Sequence, residues 1–255
     1  MSTATSAMAA SASSAAEMGW VRNTMGSPRE ISIAKGRSFC PACSVPIRWY
    51  DNVPLVGFAV LRGRCRACGD RISARYPLGE ATMAVLFILA AALTGPTWEL
   101  LLQLLFISVL VLVTQTDLEF QEVPGDVLLV AGVIGLGGMV ALHSDRWWVW
   151  VVAAAAAPAF MLVVRGLYKV ARGVTGMGIG DVTLSFFLGA FLGVAVVPAL
   201  FLGFLLGALA GAVALVGKRG DMKTALPFGP FLAVGGVVML FVGTAVIEAY
   251  LSLLK

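Results

Sequence analysis

From Leu78 to the C-terminus the chain is a succession of long apolar runs separated by short polar breaks. Runs at 78–94, 98–116, 125–142, 147–166, 181–196, 199–216 and 227–250 each approach the roughly 20 residues an α-helix needs to cross about 30 Å of hydrocarbon. The stretch 181–216 is too long for one ordinary crossing, and Pro198 offers a break. Unbroken runs of this kind exclude a porin-type barrel, whose strands alternate polar and apolar residues. Ahead of Leu78 the pattern changes. Residues 36–77 carry Pro and Gly but no long apolar run, and residues 1–35 are rich in Ala and Ser. The pattern predicts a flexible N-terminal tail (1–35), a small loop-rich module (36–77) and a transmembrane domain (78–255). The fold class is all-α: a polytopic membrane protein of about seven transmembrane helices with a small four-Cys module.

Composition agrees. Of 255 residues, 59% are hydrophobic and 13% charged, and the mean hydropathy is +0.92. Soluble domains are nearer half apolar and a quarter charged, so lipid must cover much of this surface. Residues 1–30 lack the apolar core of a secretory signal. The single histidine, His143, excludes a His-rich metal centre, a bis-His haem and an HExxH protease; in its polar loop it reads as solvated. The net charge of +4 matters less than where the cations fall. With the loops alternating sides, all Lys and Arg except Arg146 and Lys255 lie on the side of the 36–77 module, which makes that side cytoplasmic. Trp98, Trp147, Trp148, Trp150 and Tyr250 then fall at the outer interface. No nucleic-acid partner is expected; membrane lipids are.

All four cysteines lie in the module. Cys40 and Cys43, then Cys65 and Cys68, form two CxxC pairs with 21 residues between them. Two such pairs can close a tetrahedral thiolate site around Zn²⁺, and a cytoplasmic setting disfavours disulfides. Arg64, Arg66 and Arg71 flank the second pair and favour ionised thiols. A four-thiolate site leaves no open position for water, so the expected role of the metal is structural.

Ionisable groups inside spans are costly and point to function. Asp117 closes the second run, and Asp181 opens the fifth after Gly176-Met-Gly-Ile-Gly180. The predicted topology puts both at one membrane level. Together they fit a carboxyl pair that shares a proton and activates water against a peptide carbonyl; singly, each also fits a helix cap or a headgroup contact. Glycines before Asp181 let another backbone approach. Glu119, Glu122 and Asp126 read as solvated loop charges, Glu99 and Glu248 as span ends, and Glu80 as facing either the module or the site. Gly203, Gly207 and Gly211 recur at every fourth residue, a helix-packing face.

Four segments resemble one family. Cys40–Glu80 resembles the zinc module of bacterial type IV prepilin peptidases, and TDLEFQEVP (Thr116–Pro124) resembles their first aspartate motif. GIGDV (Gly178–Val182) resembles the second, GxGD motif, and PFGPFLAVGG (Pro227–Gly236) the signature of the last helix. The order and rough spacing match over about residues 36–245. The resemblance implies a multi-pass enzyme of the bacterial inner membrane that removes the short basic leader of prepilins and pseudopilins at the cytoplasmic face. It then methylates the new N-terminus with S-adenosylmethionine. It assigns catalysis to Asp117 and Asp181, zinc to Cys40, Cys43, Cys65 and Cys68, and supporting positions to Gly178, Gly180, Pro227, Gly229 and Pro230. Three features depart from the family's pattern: residues 1–35 carry no apolar helix, Thr183 stands where Lys is frequent, and Gly125 follows Pro124 where Asp is usual. Beside an inactive relative that kept the scaffold, a reading that rests on the missing helix alone, two other readings compete. One is a different GxGD-type intramembrane protease without methyl transfer, against which the four cysteines speak. The other is a non-enzymatic transporter with a zinc-ribbon module, disfavoured by the nearly charge-free span interiors.

Overall fold

The structure, a computed structural model, describes residues 38–173, 177–216 and 227–253. The expected N-terminal tail and the cations at 218, 219 and 223 lie outside the described residues. The chain divides into two compact units, Met1–Trp49 and Tyr50–Lys255. In the first, the described residues form a tight turn: Ser44 N–H donates to Cys40 O, Cys40 N–H to Val45 O, and Phe39 bridges Pro46. The second holds all the long helices, numbered here α1 (Arg75–Thr94), α2 (Trp98–Phe120), α3 (Gly125–Leu142), α4 (Trp147–Arg172), α5 (Ile179–Leu192), α6 (Val196–Val216) and α7 (Gly229–Leu253). The described residues form helices and turns, with isolated β-bridges only.

Local chemistry sets the helix ends. Thr97 Oγ1 accepts from Leu100 N–H and caps α2. Gln121 ends α2 in the left-handed region at φ 54°, and Gly173 ends α4 at φ 72°. Along the helices many large apolar side chains, such as Ile88, Val130, Val163 and Phe201, point outward and are exposed, as a lipid-facing surface requires.

Among the described residues, six helical segments are long and apolar enough to span a membrane, not seven, because the 36-residue stretch Ile179–Ala214 counts as one. Contacts along α7 show that it has two limbs. On α5, Leu188 meets Gly236; Ala195 at the bend meets Gly243; on α6, Ala199 meets Gly235 and Gly203 meets Leu232. The register climbs α7 along the first limb and descends along the second, so the chain doubles back. The expected division is present, but its position is corrected. The break falls at Gly193–Ala195, where Gly193 takes φ +53° beneath the Trp150 ring. Pro198 instead lies in the first turn of α6, where a missing N–H breaks no helix bond.

The core joins the helices that carry the two aspartates. Phe106 of α2 and Phe187 and Phe191 of α5 form a buried trio with ring centroids 5.2, 5.1 and 4.9 Å apart. Glycines let the neighbours close in: Gly135 of α3 receives the Phe191 ring, and Gly189 of α5 lies on the Ala153 carbonyl of α4. Backbone approach of this kind is how helices associate where lipid removes the hydrophobic drive. Gly203 and Gly207 face α7 as expected, while Gly211 faces open space. His143 is half-buried rather than solvated, its ring 5.2 Å from that of Trp150.

Candidate active site

Asp117 lies in the last turn of α2 and Asp181 in the first turn of α5. Both are buried, at 5% and 8% exposure. A buried carboxyl needs hydrogen-bond partners, and each finds a backbone N–H. Asp181 Oδ2 accepts from Gly178 N–H at 3.2 Å, which also caps its own helix. Asp117 Oδ2 accepts from Gly229 N–H at 2.9 Å, 112 residues away in sequence. Gly229 opens α7, and the first N–H groups of a helix have no partner within it. One is therefore free to bind Asp117. Asp117 ends one helix but meets the start of another, a feature invisible in the pattern around residue 117.

Close packing brings the motifs together. A Cβ at Gly229 would lie 2.7 Å from Asp117 Oδ2. A Cβ at Gly180 would lie 2.6 Å from the Cβ of Val123, so the GIGDV segment rests on the loop that follows Asp117. Pro230 is the second residue of α7, and Pro227 stands just before that helix. Among the expected supporting positions, Gly178 and Gly229 donate hydrogen bonds, Gly180 admits Val123, and Pro230 occupies a helix turn that needs no donor.

Two hollows lie among these helices. A cavity of about 290 Å³ is bounded by Asp181, Arg165, Tyr168, Met177, Phe204 and Phe228. A larger, apolar groove of about 580 Å³ runs between α1, α2 and α7, with Leu110, Gln115, Leu118 and Ala233 in its walls. In the sequence Arg165 counts only among the cations that set orientation. Here it is half-buried and donates to Met177 O at 2.7 Å. The signal that could have found it is a guanidinium placed two turns inside α4, ahead of Lys169 and Arg172, both exposed.

The remaining acids resolve as follows. Glu80 Oε2 accepts from Leu55 N–H at 2.7 Å, so it faces the module segment. Glu119, Glu122, Asp126 and Glu248 are exposed. Glu99 lies 3.5 Å from Gln103 Nε2. Gln103, not singled out from sequence, is buried and accepts from Thr94 Oγ1 at 2.7 Å.

In the second unit, Cys65 and Cys68 lie in a turn built like that around Cys40. Gly69 N–H donates to Cys65 O, Cys65 N–H to Asp70 O, and Arg64 bridges Arg71. Arg66 holds Asp51 through two hydrogen bonds of 2.8 and 2.6 Å and lies over the Tyr50 ring. The Asp51 carboxylate raises the pKa of that guanidinium. None of the four cysteines is in a disulfide, and the four Sγ atoms lie within 4.8 Å of one another. Tetrahedral Zn–S bonds of about 2.3 Å place sulfurs about 3.8 Å apart, so the set fits a zinc ion with small adjustments.

Fold and site together define a multi-pass helical membrane protein with two buried carboxyls at helix ends and a cluster of four thiols. Comparison with known proteins adds the family. Residues 11–94 match the bacterial peptidase A24 N-terminal domain, and residues 104–216 match the type IV leader peptidase family. The prepilin leader peptidase/N-methyltransferase of Neisseria gonorrhoeae is 36% identical over 83% of this chain and 73% of its own length. That of Aeromonas hydrophila is 38% identical over 85% and 75%. The Bacillus subtilis protein of the same name is 32% identical over 89% and 90%. No solved structure matches the chain. The chain belongs to the prepilin leader peptidase/N-methyltransferase family of A24 aspartic peptidases. That membership sets aside the transporter reading.

Proposed function

We propose that this enzyme removes the leader of type IV prepilins or pseudopilins at the cytoplasmic face of the bacterial inner membrane, with Asp117 and Asp181 as its catalytic pair. The observation that carries the reading is two buried carboxyls from distant segments, each fixed by a backbone N–H, with Val123 beyond the first packed on Gly180 beside the second. In this mechanism one carboxylate takes a proton from a water molecule, and the oxygen attacks the scissile carbonyl. The other carboxyl donates its proton to the carbonyl oxygen, giving a tetrahedral diol. Proton transfer to the leaving nitrogen then breaks the C–N bond and frees the leader acid and the new N-terminal amine. Burial excludes bulk water from the pair, and the two N–H donors fix the carboxyls before substrate arrives. The apolar groove beside α2 supports a substrate whose segment next to the cut lies in the membrane.

Cys40, Cys43, Cys65 and Cys68 would hold zinc as a cross-link that fixes the module. Membership of the family supports a second activity, N-methylation of the new amine, for which S-adenosylmethionine would supply the methyl group. The decisive assay incubates the purified full chain with a prepilin and labelled S-adenosylmethionine. Loss of the leader reports the first activity, and label on the processed N-terminus the second. An intact prepilin after incubation with folded enzyme would sink the proposal. Cleavage without label would support the alternative, a GxGD-type protease that does not methylate.

A further inference from the structure

We infer that Arg165 is a positioning residue for Asp181, acting through the peptide bond between Met177 and Gly178. The inference rests on the proposed aspartate mechanism. Arg165 Nη1 donates to Met177 O at 2.7 Å, and Gly178 N–H donates to Asp181 Oδ2 at 3.2 Å. That carbonyl and that N–H belong to the same peptide unit. A trans peptide points the two groups in opposite directions, so the guanidinium holds one edge of the plane and the carboxyl receives the other. No cis peptide occurs among the described residues.

A guanidinium bound to the carbonyl polarises the peptide and strengthens the N–H as a donor. It also opposes a flip of the plane, which would turn a carbonyl oxygen toward the carboxyl. The glycine at 178 makes such restraint necessary, because glycine itself barely restricts rotation. The position of Arg165 supports the assignment independently. It lines the same 290 Å³ cavity as Asp181, and it stays half-buried although an arginine near a span end can extend toward water. Lys169 and Arg172, nearer the end of α4, are exposed.

The test compares Arg165→Met, Arg165→Lys and Asp181→Asn with the wild type, as full-length enzyme in lipid nanodiscs with a prepilin substrate. Arg165→Met should lower kcat by about tenfold to a hundredfold, the loss of one charge-assisted hydrogen bond. KM should stay within about threefold, because the residue is not assigned to substrate binding. Arg165→Lys retains a charged donor and should recover most of the lost kcat. Thermal unfolding of both variants, followed by helical circular dichroism, checks that the fold is kept. If Arg165→Met leaves kcat unchanged while Asp181→Asn is inactive, the inference is wrong and the aspartate mechanism stands. A rise in KM alone, or a Lys variant as poor as the Met variant, also overturns it. Activity retained in Asp181→Asn overturns the aspartate mechanism itself.

Discussion

The aspartate pair and the cysteine segment keep their shapes by different means. Around Asp117 and Asp181 geometry comes from packing: the Phe106–Phe187–Phe191 trio, the Gly180–Val123 contact and the start of α7 are fixed by apolar burial. Between residues 38 and 74 only Cys40 and Gly57 are buried. That segment relies on turn hydrogen bonds and one bidentate ion pair. A segment this size without a core needs another source of stability, and four clustered thiols can supply it through a metal. A packed carboxyl pair and a module that a metal would stabilise can therefore coexist in one chain and fail separately.

Replacing the carboxyls should have the largest effect. Asp117→Asn or Asp181→Asn is expected to reduce prepilin cleavage by at least about a thousandfold, with membrane insertion and unfolding temperature close to wild type. Metal removal should separate the regions next. Treating the protein with a strong chelator, or making Cys65→Ser, is expected to release about one zinc per chain and to expose residues 38–74 to protease. The unfolding of α2, α5 and α7 should stay nearly unchanged, as hydrogen exchange would reveal.

A smaller effect is expected within the packed region. The Cβ of Gly229→Ala must displace the Asp117 carboxylate or break its 2.9 Å hydrogen bond. Gly180→Ala must push Val123 away. Each should destabilise by about 1–3 kcal/mol, the usual range for overpacking, and lower kcat more than it alters KM. Adding Val123→Ala to Gly180→Ala should restore part of both losses, a coupling that a cycle of the two variants measures. Smallest of all, Glu80→Gln should weaken the contact with Leu55 N–H by about 1 kcal/mol. It should alter protease sensitivity of the module segment more than the rate of cleavage.

Much of this was legible because it depends on short-range pattern. Apolar runs of crossing length mark the helices, and two CxxC pairs mark the thiol cluster. Asp117 and Asp181 stood out as ionisable groups beside apolar runs. What was not legible depends on tertiary contact. Gly229 meets Asp117 across 112 residues, and no local period encodes that meeting. Pro198 was the stronger breaker by residue type, yet the chain turns at Gly193, because the Trp150 ring and the register against α7 decide the site. Arg165 looked like one more cation near a helix end; only its bond to Met177 O sets it apart. His143 looked solvated because its neighbours in sequence are polar, but Trp150 reaches it from the next helix.

The central claim is that two carboxyls act on one water molecule as a unit. It is tested most directly by a double-mutant cycle on cleavage rate with Asp117→Asn, Asp181→Asn and both together. The account predicts that either change alone removes nearly all activity and that the double variant is no slower than the singles. Losses that simply multiply, or a single variant that still cleaves at close to the wild-type rate, would contradict it.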